Sequence, residues 1–436
     1  MQNDAFQGKS GHGQHGSQSN LDPSEIAVGV VIGRASEYFD FFVYAIASVL
    51  VFPAVFFPGV DKLTATLYSF IIFSFAFLAR PIGTIALMKV QQHFGREVKL
   101  TVALFMMGIS TAGIAFLPTA TSIGFAAVVL LSLFRIGQGL ALGGSWDGLP
   151  SLLALNAPEH KRGWYAMLGQ LGAPVGFFIA AGLFAFLLSS LSEADFLSWG
   201  WRYPFFVAFA INVVALFARL RLVATNEYSR SLEQKALEPV SVRELTGSQG
   251  FNIIVGALAA LASYALFHVV TVFPLSWISL YSERSISEFL AIQMFGAVLA
   301  AVGVVVSGLI ADKLGRRTTL GSLAAAIATF SGFVPTLMDG GDLGQTVFIL
   351  VGFALLGLSY GQAAGAVTAN FHAKYRYTGA ALTSDLAWLV GAGFAPLVAL
   401  GLAAHFGLAY VSLYLLSGAA GSLAALSLNR ALELKD

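Results

Sequence analysis

Three ionisable residues, Arg34, Glu37 and Asp40, fall close together in the stretch GRASEYFDFFVYA (residues 33–45), and apolar sequence flanks them on both sides. Further along, Arg80, Arg135, His268 and Asp385 stand singly in equally apolar surroundings. Two kinds of chemistry need such residues in such places. A carboxylate withheld from water can take up and release a proton at a point set by its neighbours. An arginine in the same environment can grip a carboxylate ligand through two parallel hydrogen bonds. A third reading is purely structural: an arginine and a carboxylate neutralise each other and lock the helices that carry them.

The elements that position these groups follow from composition. The 436-residue chain is 57% hydrophobic and 11% charged, with mean hydropathy +0.77. Soluble domains are about one quarter charged, so this chain belongs in a lipid bilayer. A net charge of +1 gives no reason to expect a nucleic-acid partner. The chain has no Cys, which excludes disulfides and thiol chemistry. No nucleotide-binding loop or soluble catalytic domain is legible, which argues against an ATP-driven pump and against an enzyme. No cofactor or metal is called for. Residues 1–24, rich in Gly, Ser, Gln and His, read as a disordered tail; His12 and His15 there are solvated or bind a metal only loosely.

A membrane-crossing helix needs about 20 mostly apolar residues. Twelve runs qualify: 26–53, 65–88, 99–117, 123–145, 163–188, 203–222, 251–280, 287–311, 318–337, 345–370, 377–402 and 408–428. An even number puts both termini on one side. That side holds 18 Lys and Arg against 3 opposite (Lys62, Arg202, Arg284), so both termini are expected in the cytoplasm. The expected architecture is all-α, with two bundles of six spans: a tail (1–24), a first bundle (25–222), a cytoplasmic linker (223–250) and a second bundle (251–436). The halves echo each other. FGREVKL (94–100) follows span 2 and LGRRTTL (314–320) follows span 8, an offset of 220 residues. Parallel repeats of this kind build transporters whose site lies between the halves near mid-membrane.

On a helical wheel Glu37, Asp40, Tyr44 and Ser48 fall on the arc that begins at Arg34, while Phe39, Phe42, Val43, Ile46, Val49 and Leu50 take the opposite arc. One ionised side chain at bilayer centre costs at least ~2.5 kcal/mol, so three on one arc need a reason. An Arg34–Glu37 pair leaves Asp40 without a partner on its own helix. Glu37 and Asp40 are therefore candidate proton sites, with structural pairing as the alternative. Arg135, midway along span 4 and one turn from Gln138, is either a ligand for a carboxylate substrate or the counter-ion of Glu37 or Asp40. Arg34, Tyr44, Gln138 and His268 complete the candidate substrate set; a lone histidine on an apolar helix is also a common packing residue. Asp385 is a second proton site, a gate partner or a counter-ion across the halves. Arg80, before the helix-bending Pro81, reads as a structural or gate arginine.

The motifs ADKLGRR (311–317), SEYFDFFVYA (36–45), FLARPIG (77–83), FRIGQGLALGG (134–144), APEHKRGWY (157–165) and WGWRYPF (199–205) together resemble the major facilitator superfamily, and within it the metabolite:proton symporters that carry organic acids, proline or betaines. The resemblance covers most of the first half and, more weakly, the second. It implies cytoplasmic gate motifs at Gly95 and Arg96 and at Asp312, Gly315 and Arg316. Four positions depart from the family pattern: Gln92 stands where the first gate motif has Asp, Ser145 replaces a Glu while Asp147 follows two residues on, Arg34 replaces a small or polar residue, and Asp385 replaces a neutral one. A carboxylate at Asp312 can meet cytoplasmic arginines and a helix N-terminus, whose dipole favours negative charge, with Arg316 and Arg376 as its expected partners. Asp147 is the expected stand-in for the carboxylate absent at Gln92.

These readings converge on a monomeric, multi-pass protein of a bacterial inner membrane. It is expected to import a small, carboxylate-bearing metabolite together with protons by alternating access. A proton antiporter and a membrane sensor that binds without transport are the alternatives.

Overall fold

A computed structural model describes residues 23–145, 158–223, 238–368 and 371–428. The terminal tail with His12 and His15, the segment holding Asp147 and the centre of the linker lie outside the described residues. Twelve helical spans follow one another: α1 (Pro23–Leu50), α2 (Lys62–Phe94), α3 (Arg96–Ala115), α4 (Phe125–Gly144), α5 (Arg162–Ser190), α6 (Arg202–Val223), α7 (Leu261–Tyr281, led in by a helix over Val242–Ala259), α8 (Ile286–Leu314), α9 (Arg316–Ser331), α10 (Gly341–Gly365), α11 (Arg376–Phe406) and α12 (Ala409–Leu428). Among the described residues, nine of these are long and apolar enough to cross a membrane. Large apolar side chains such as Phe105, Phe125, Phe186, Phe295 and Leu413 point outward, as expected where lipid is the solvent.

The helix boundaries follow local chemistry. The helix leading into α7 starts at Val242, inside the stretch read as linker. Ser241 caps it by accepting from the Glu244 amide at 3.3 Å, in a Ser-x-x-Glu sequence typical of helix starts. Its first turns are too polar for a hydropathy window to include. Gln249 breaks the helical geometry (φ −132°, ψ 15°), so the apolar part begins almost where the run 251–280 was expected. α2 runs through Pro81 as one helix. α9 stops at Ser331, short of the expected 337, and a separate short helix covers Val334–Met338.

The repeat visible in the sequence is also one of packing. α2 lies tightly on α4, and α8 on α10 in the second half. At Gly139 a Cβ would overlap the Ala76 backbone, and at Gly357 it would overlap the Ala300 backbone; only glycine lets each pair approach this closely. The turns after α2 and α8 are alike as well. Gly95 and Gly315 take φ +83° and +82°, a left-handed conformation that glycine adopts without strain. The halves meet where α5 packs on α8, where α2 packs on α11, and where α1 meets α7.

Candidate functional site

The charged arc of α1 divides between two environments. Arg34 and Glu37 pair with each other, Nη1 to Oε2, at 2.7 Å. They line a small cavity of about 30 Å³ with Tyr38, Phe41, Phe77, Arg80, Ser145 and Trp388. Tyr38 and Tyr360 share a hydroxyl–hydroxyl hydrogen bond across the halves. Asp40, one turn on, turns away from this cavity into the first bundle and is 3% exposed. There Thr111 of α3 donates its hydroxyl to Asp40 Oδ1 at 2.8 Å, and Gln138 of α4 donates Nε2 to Oδ2 at 3.5 Å.

Arg135 reaches this carboxylate only at one remove. Its Nη1 donates to Gln138 Oε1 at 3.0 Å, and Gln138 Nε2 lies 3.0 Å from Thr111 Oγ1. Nε donates to the Phe73 carbonyl at 3.2 Å. The guanidinium lies 3.9 Å from the centre of the Tyr44 ring and 4.8 Å from that of Phe73, so aromatic faces supply part of the stabilisation that water would give. Arg135 is 1% exposed, yet its Nη2 has no hydrogen-bond partner, and neither does the Tyr44 hydroxyl. His268 is fully buried beside this group. Its ring stacks on Phe41 with centroids 5.4 Å apart, Nδ1 sits 3.3 Å from Thr271 Oγ1, and Nε2 is unpartnered. Asp40, Tyr44, Arg135, Gln138 and His268 thus gather in one buried region. Arg34 and Glu37 face the neighbouring cavity.

Asp385 pairs across the halves. Arg80 Nε donates to its Oδ1 at 2.7 Å, and Thr84 Oγ1 donates to its Oδ2 at 2.5 Å. The Arg80 guanidinium also lies 5.8 Å from the centre of the Trp388 ring. Asp385 thus sits in an ion pair that joins the two halves.

The gate motifs follow α2 and α8. Asp312 accepts from the backbone amides of Gly163 at 2.6 Å and Trp164 at 3.2 Å. These are the first turn of α5, where unpaired N–H groups favour a negative charge. Gly163 permits the approach, since a Cβ there would meet Asp312 Oδ1 and the Gly308 carbonyl, each at 2.8 Å. Asp312 therefore meets the helix N-terminus. Arg316 donates to the Gly365 carbonyl at 3.2 Å instead, and Arg376 is half-buried at the start of α11. In the first half Gln92 donates to the Pro239 carbonyl at 2.9 Å. Beside it, Lys99 is 1% exposed and donates to the Tyr377 hydroxyl at 2.8 Å and to Gln91 Oε1 at 3.1 Å. Arg96 lies 5.9 Å from the centre of the Tyr377 ring.

Sequence reading missed Thr111, Thr84, Lys99 and Trp388. Lys99 carried a signal, a cation at the very start of the apolar run 99–117. The threonines carried none, since Thr is ordinary in an apolar helix.

Known proteins share this fold. The "Sugar (and other) transporter" family model matches residues 26–242. The chain is 36% identical to the inner membrane metabolite transport protein YhjE of Escherichia coli K12 over 93% of each chain. It is 30% identical to the shikimate transporter of the same strain, over 90% of this chain and 91% of that one. The crystal structure of a D-xylose-proton symporter superposes with a TM-score of 0.71 at 20% identity, covering 92% of this chain and 96% of that one. With twelve helices in two bundles, a gate carboxylate at the second of two matching turns, and relatives that are transporters rather than enzymes, the chain belongs to the metabolite transporters of the major facilitator superfamily.

Proposed function

We propose that this chain imports a small carboxylate-bearing metabolite with protons, by alternating access across a bacterial inner membrane with both termini in the cytoplasm. The observation that carries the proposal is the buried network Asp40–Thr111–Gln138–Arg135. It places an acid beside a cation whose remaining donor, Nη2, is unpartnered. Asp40 is the proton site. Arg135, with the Tyr44 hydroxyl and His268 Nε2 as further open polar atoms, receives the carboxylate. Arg34 and Glu37, which line the neighbouring cavity with Arg80 and Trp388, mark the route. The Lys and Arg bias supports the orientation, and the name of the E. coli relative supports the inner membrane.

The test uses purified protein in liposomes under an imposed proton gradient, with radiolabelled shikimate as the first probe and a panel of small monocarboxylates after it. Acid-driven accumulation supports import. Counterflow against the gradient would establish an antiporter, and binding without flux would establish a sensor. Asp40→Asn should retain exchange of labelled for unlabelled substrate and lose proton-driven accumulation. Accumulation at the unmodified level would remove Asp40 as the coupling residue and pass the role to Glu37.

A further inference from the structure

We infer that Gln138 is the positioning residue through which Arg135 senses whether Asp40 carries a proton. The inference rests on the reading of Asp40 as the proton site and extends it to how that proton is communicated.

Asp40 and Arg135 carry opposite charges inside the same buried region, yet among the described residues Arg135 has no carboxylate as an ion-pair partner. A neutral amide stands between them. Ionised Asp40 can only accept hydrogen bonds, and a guanidinium can only donate them. These two ends orient the amide: Nε2 faces Asp40 and Thr111, and Oε1 faces Arg135. Thr111 fits the same direction, because its proton goes to Asp40 Oδ1 and its lone pair faces Gln138 Nε2. Every bond in the chain therefore donates toward the negative charge on Asp40.

A proton arriving from water adds to a carboxylate oxygen of Asp40 and removes that charge. The new O–H is a donor and needs an acceptor. Rotation of the Gln138 amide about its terminal C–C bond presents Oε1 to Asp40 and turns the NH₂ toward Arg135. Donor then faces donor, Arg135 loses the bond from Nη1, and its guanidinium becomes available to an anion. The other groups around the pair do not offer this link. Asn212 of α6 accepts from Ser36 through Oδ1 at 3.2 Å and turns its amide to Asp40, and neither contact reaches Arg135. Tyr44 presents its ring face to Arg135. His268 of α7 has its Nδ1 at Thr271. Arg34 and Glu37 pair with each other.

The test is infrared difference spectroscopy of the full-length protein in liposomes, recorded between acid and neutral pH with no substrate added. The carboxyl band that vanishes in Asp40→Asn belongs to Asp40, and the guanidinium band that vanishes in Arg135→Lys belongs to Arg135. The native protein should show both. Gln138→Met, close in shape and unable to hydrogen-bond in this way, should keep the carboxyl band and lose the guanidinium band. If that variant does not fold, Gln138→Asn, too short to span both partners, should give the same loss. Both bands persisting in the variant would overturn the inference, because Arg135 would then sense Asp40 without Gln138. So would loss of both, which would make Gln138 a determinant of Asp40 titration alone. A native carboxyl band without a guanidinium band would mean that Arg135 does not respond. Absence of any Asp40 band in the native protein would instead strike the underlying assignment of the proton site.

Discussion

The α5–α8 junction is closed by a carboxylate set on a helix N-terminus, Asp312 against the amides of Gly163 and Trp164. The repeat-related α2–α11 junction has Gln92 at the matching position and closes differently. There Gln92 holds the Pro239 carbonyl, the Val240 amide donates to Thr378 Oγ1 at 2.9 Å, Lys99 bonds Tyr377, and Arg80 pairs with Asp385 deeper in. One junction concentrates its attraction in a single charge at a helix end. The other spreads it over neutral bonds, the Lys99 ammonium, a stretch of the linker and a buried ion pair. Two copies of one motif can thus keep the same backbone turn, at Gly95 and Gly315, and exchange the chemistry hung upon it.

Four substitutions test that contrast, the first three read as distances between spin labels on cysteines introduced beside the gate motifs of a protein with none of its own, the fourth as a melting temperature. The largest effect is expected from Asp385→Ala. It leaves the largely buried Arg80 without its counter-ion, at a cost of about 3 kcal/mol, and should separate α2 from α11 while sparing α5–α8. An unchanged α2–α11 distance would show that the neutral bonds hold this junction alone. Asp312→Ala comes next. Losing two charge-assisted bonds costs about 2 kcal/mol, and the label pair across α5–α8 should move to longer distances; if α2–α11 opens equally, the two junctions are not separable.

Gln92→Asp should sharpen the comparison in the other direction. A carboxylate near the first turn of α11 gains about 0.5 kcal/mol from the helix end, so the α2–α11 distribution should narrow toward its shorter distances. Broadening would mean that the bond to Pro239 matters more than the charge. The smallest effect belongs to Glu244→Gln. Glu244 meets Lys374 at 2.5 Å on the exposed surface. Hydrogen bonds from Lys374 and then Tyr375 hold its carboxyl below the usual 4.5. The bond to Glu244 holds Lys374 above its usual 10.5. A lowered acid contributes above its unfolded value and loses the contribution as pH falls through the folded one; a raised base contributes below its unfolded value and loses it as pH rises through the folded one. The difference between native and variant melting temperature should therefore be small, flat through neutral pH, and vanish in acid. A step near pH 7 would assign the pair a different partner.

Much of this fold was legible because lipid imposes a simple rule on sequence. Spans such as Ile286–Leu314 and Ala409–Leu428 appear as apolar runs within a few residues of their ends. The polar helix start at Val242 escaped for the same reason, since nothing apolar marks it. Within the site, the Arg34–Glu37 pair follows from three-residue spacing on one helix. The grouping of Asp40 with Arg135 was open as an alternative because both sit at mid-span depth. What spacing could not give was contact between distant helices. Asp385 and Arg80 are 305 residues apart, and depth alone left Asp385 three roles. The partner of Asp312 is backbone, which has no residue type to recognise. Thr111 became visible only once α3 was placed against α1.

The core charges described above also have an electrical consequence. Leaving aside Arg96 and Lys99 in the first turn of α3, the mid-span Arg34, Arg80 and Arg135 are matched in number by Glu37, Asp40 and Asp385. With every one of these six ionised, the mid-membrane core of the empty carrier is neutral. Each unit of charge moved through the full membrane potential exchanges ~2.3 kcal/mol per 100 mV. A neutral core lets the empty carrier reorient with no force from the voltage. Adding a proton alone makes the core positive. Adding a proton with a monoanion restores neutrality, and the voltage then neither drives nor opposes the loaded step. A zwitterionic cargo would leave the loaded carrier at +1, and its uptake would follow the voltage as well as the pH difference. Whether uptake depends on membrane potential at fixed pH gradient therefore reports the charge of the cargo.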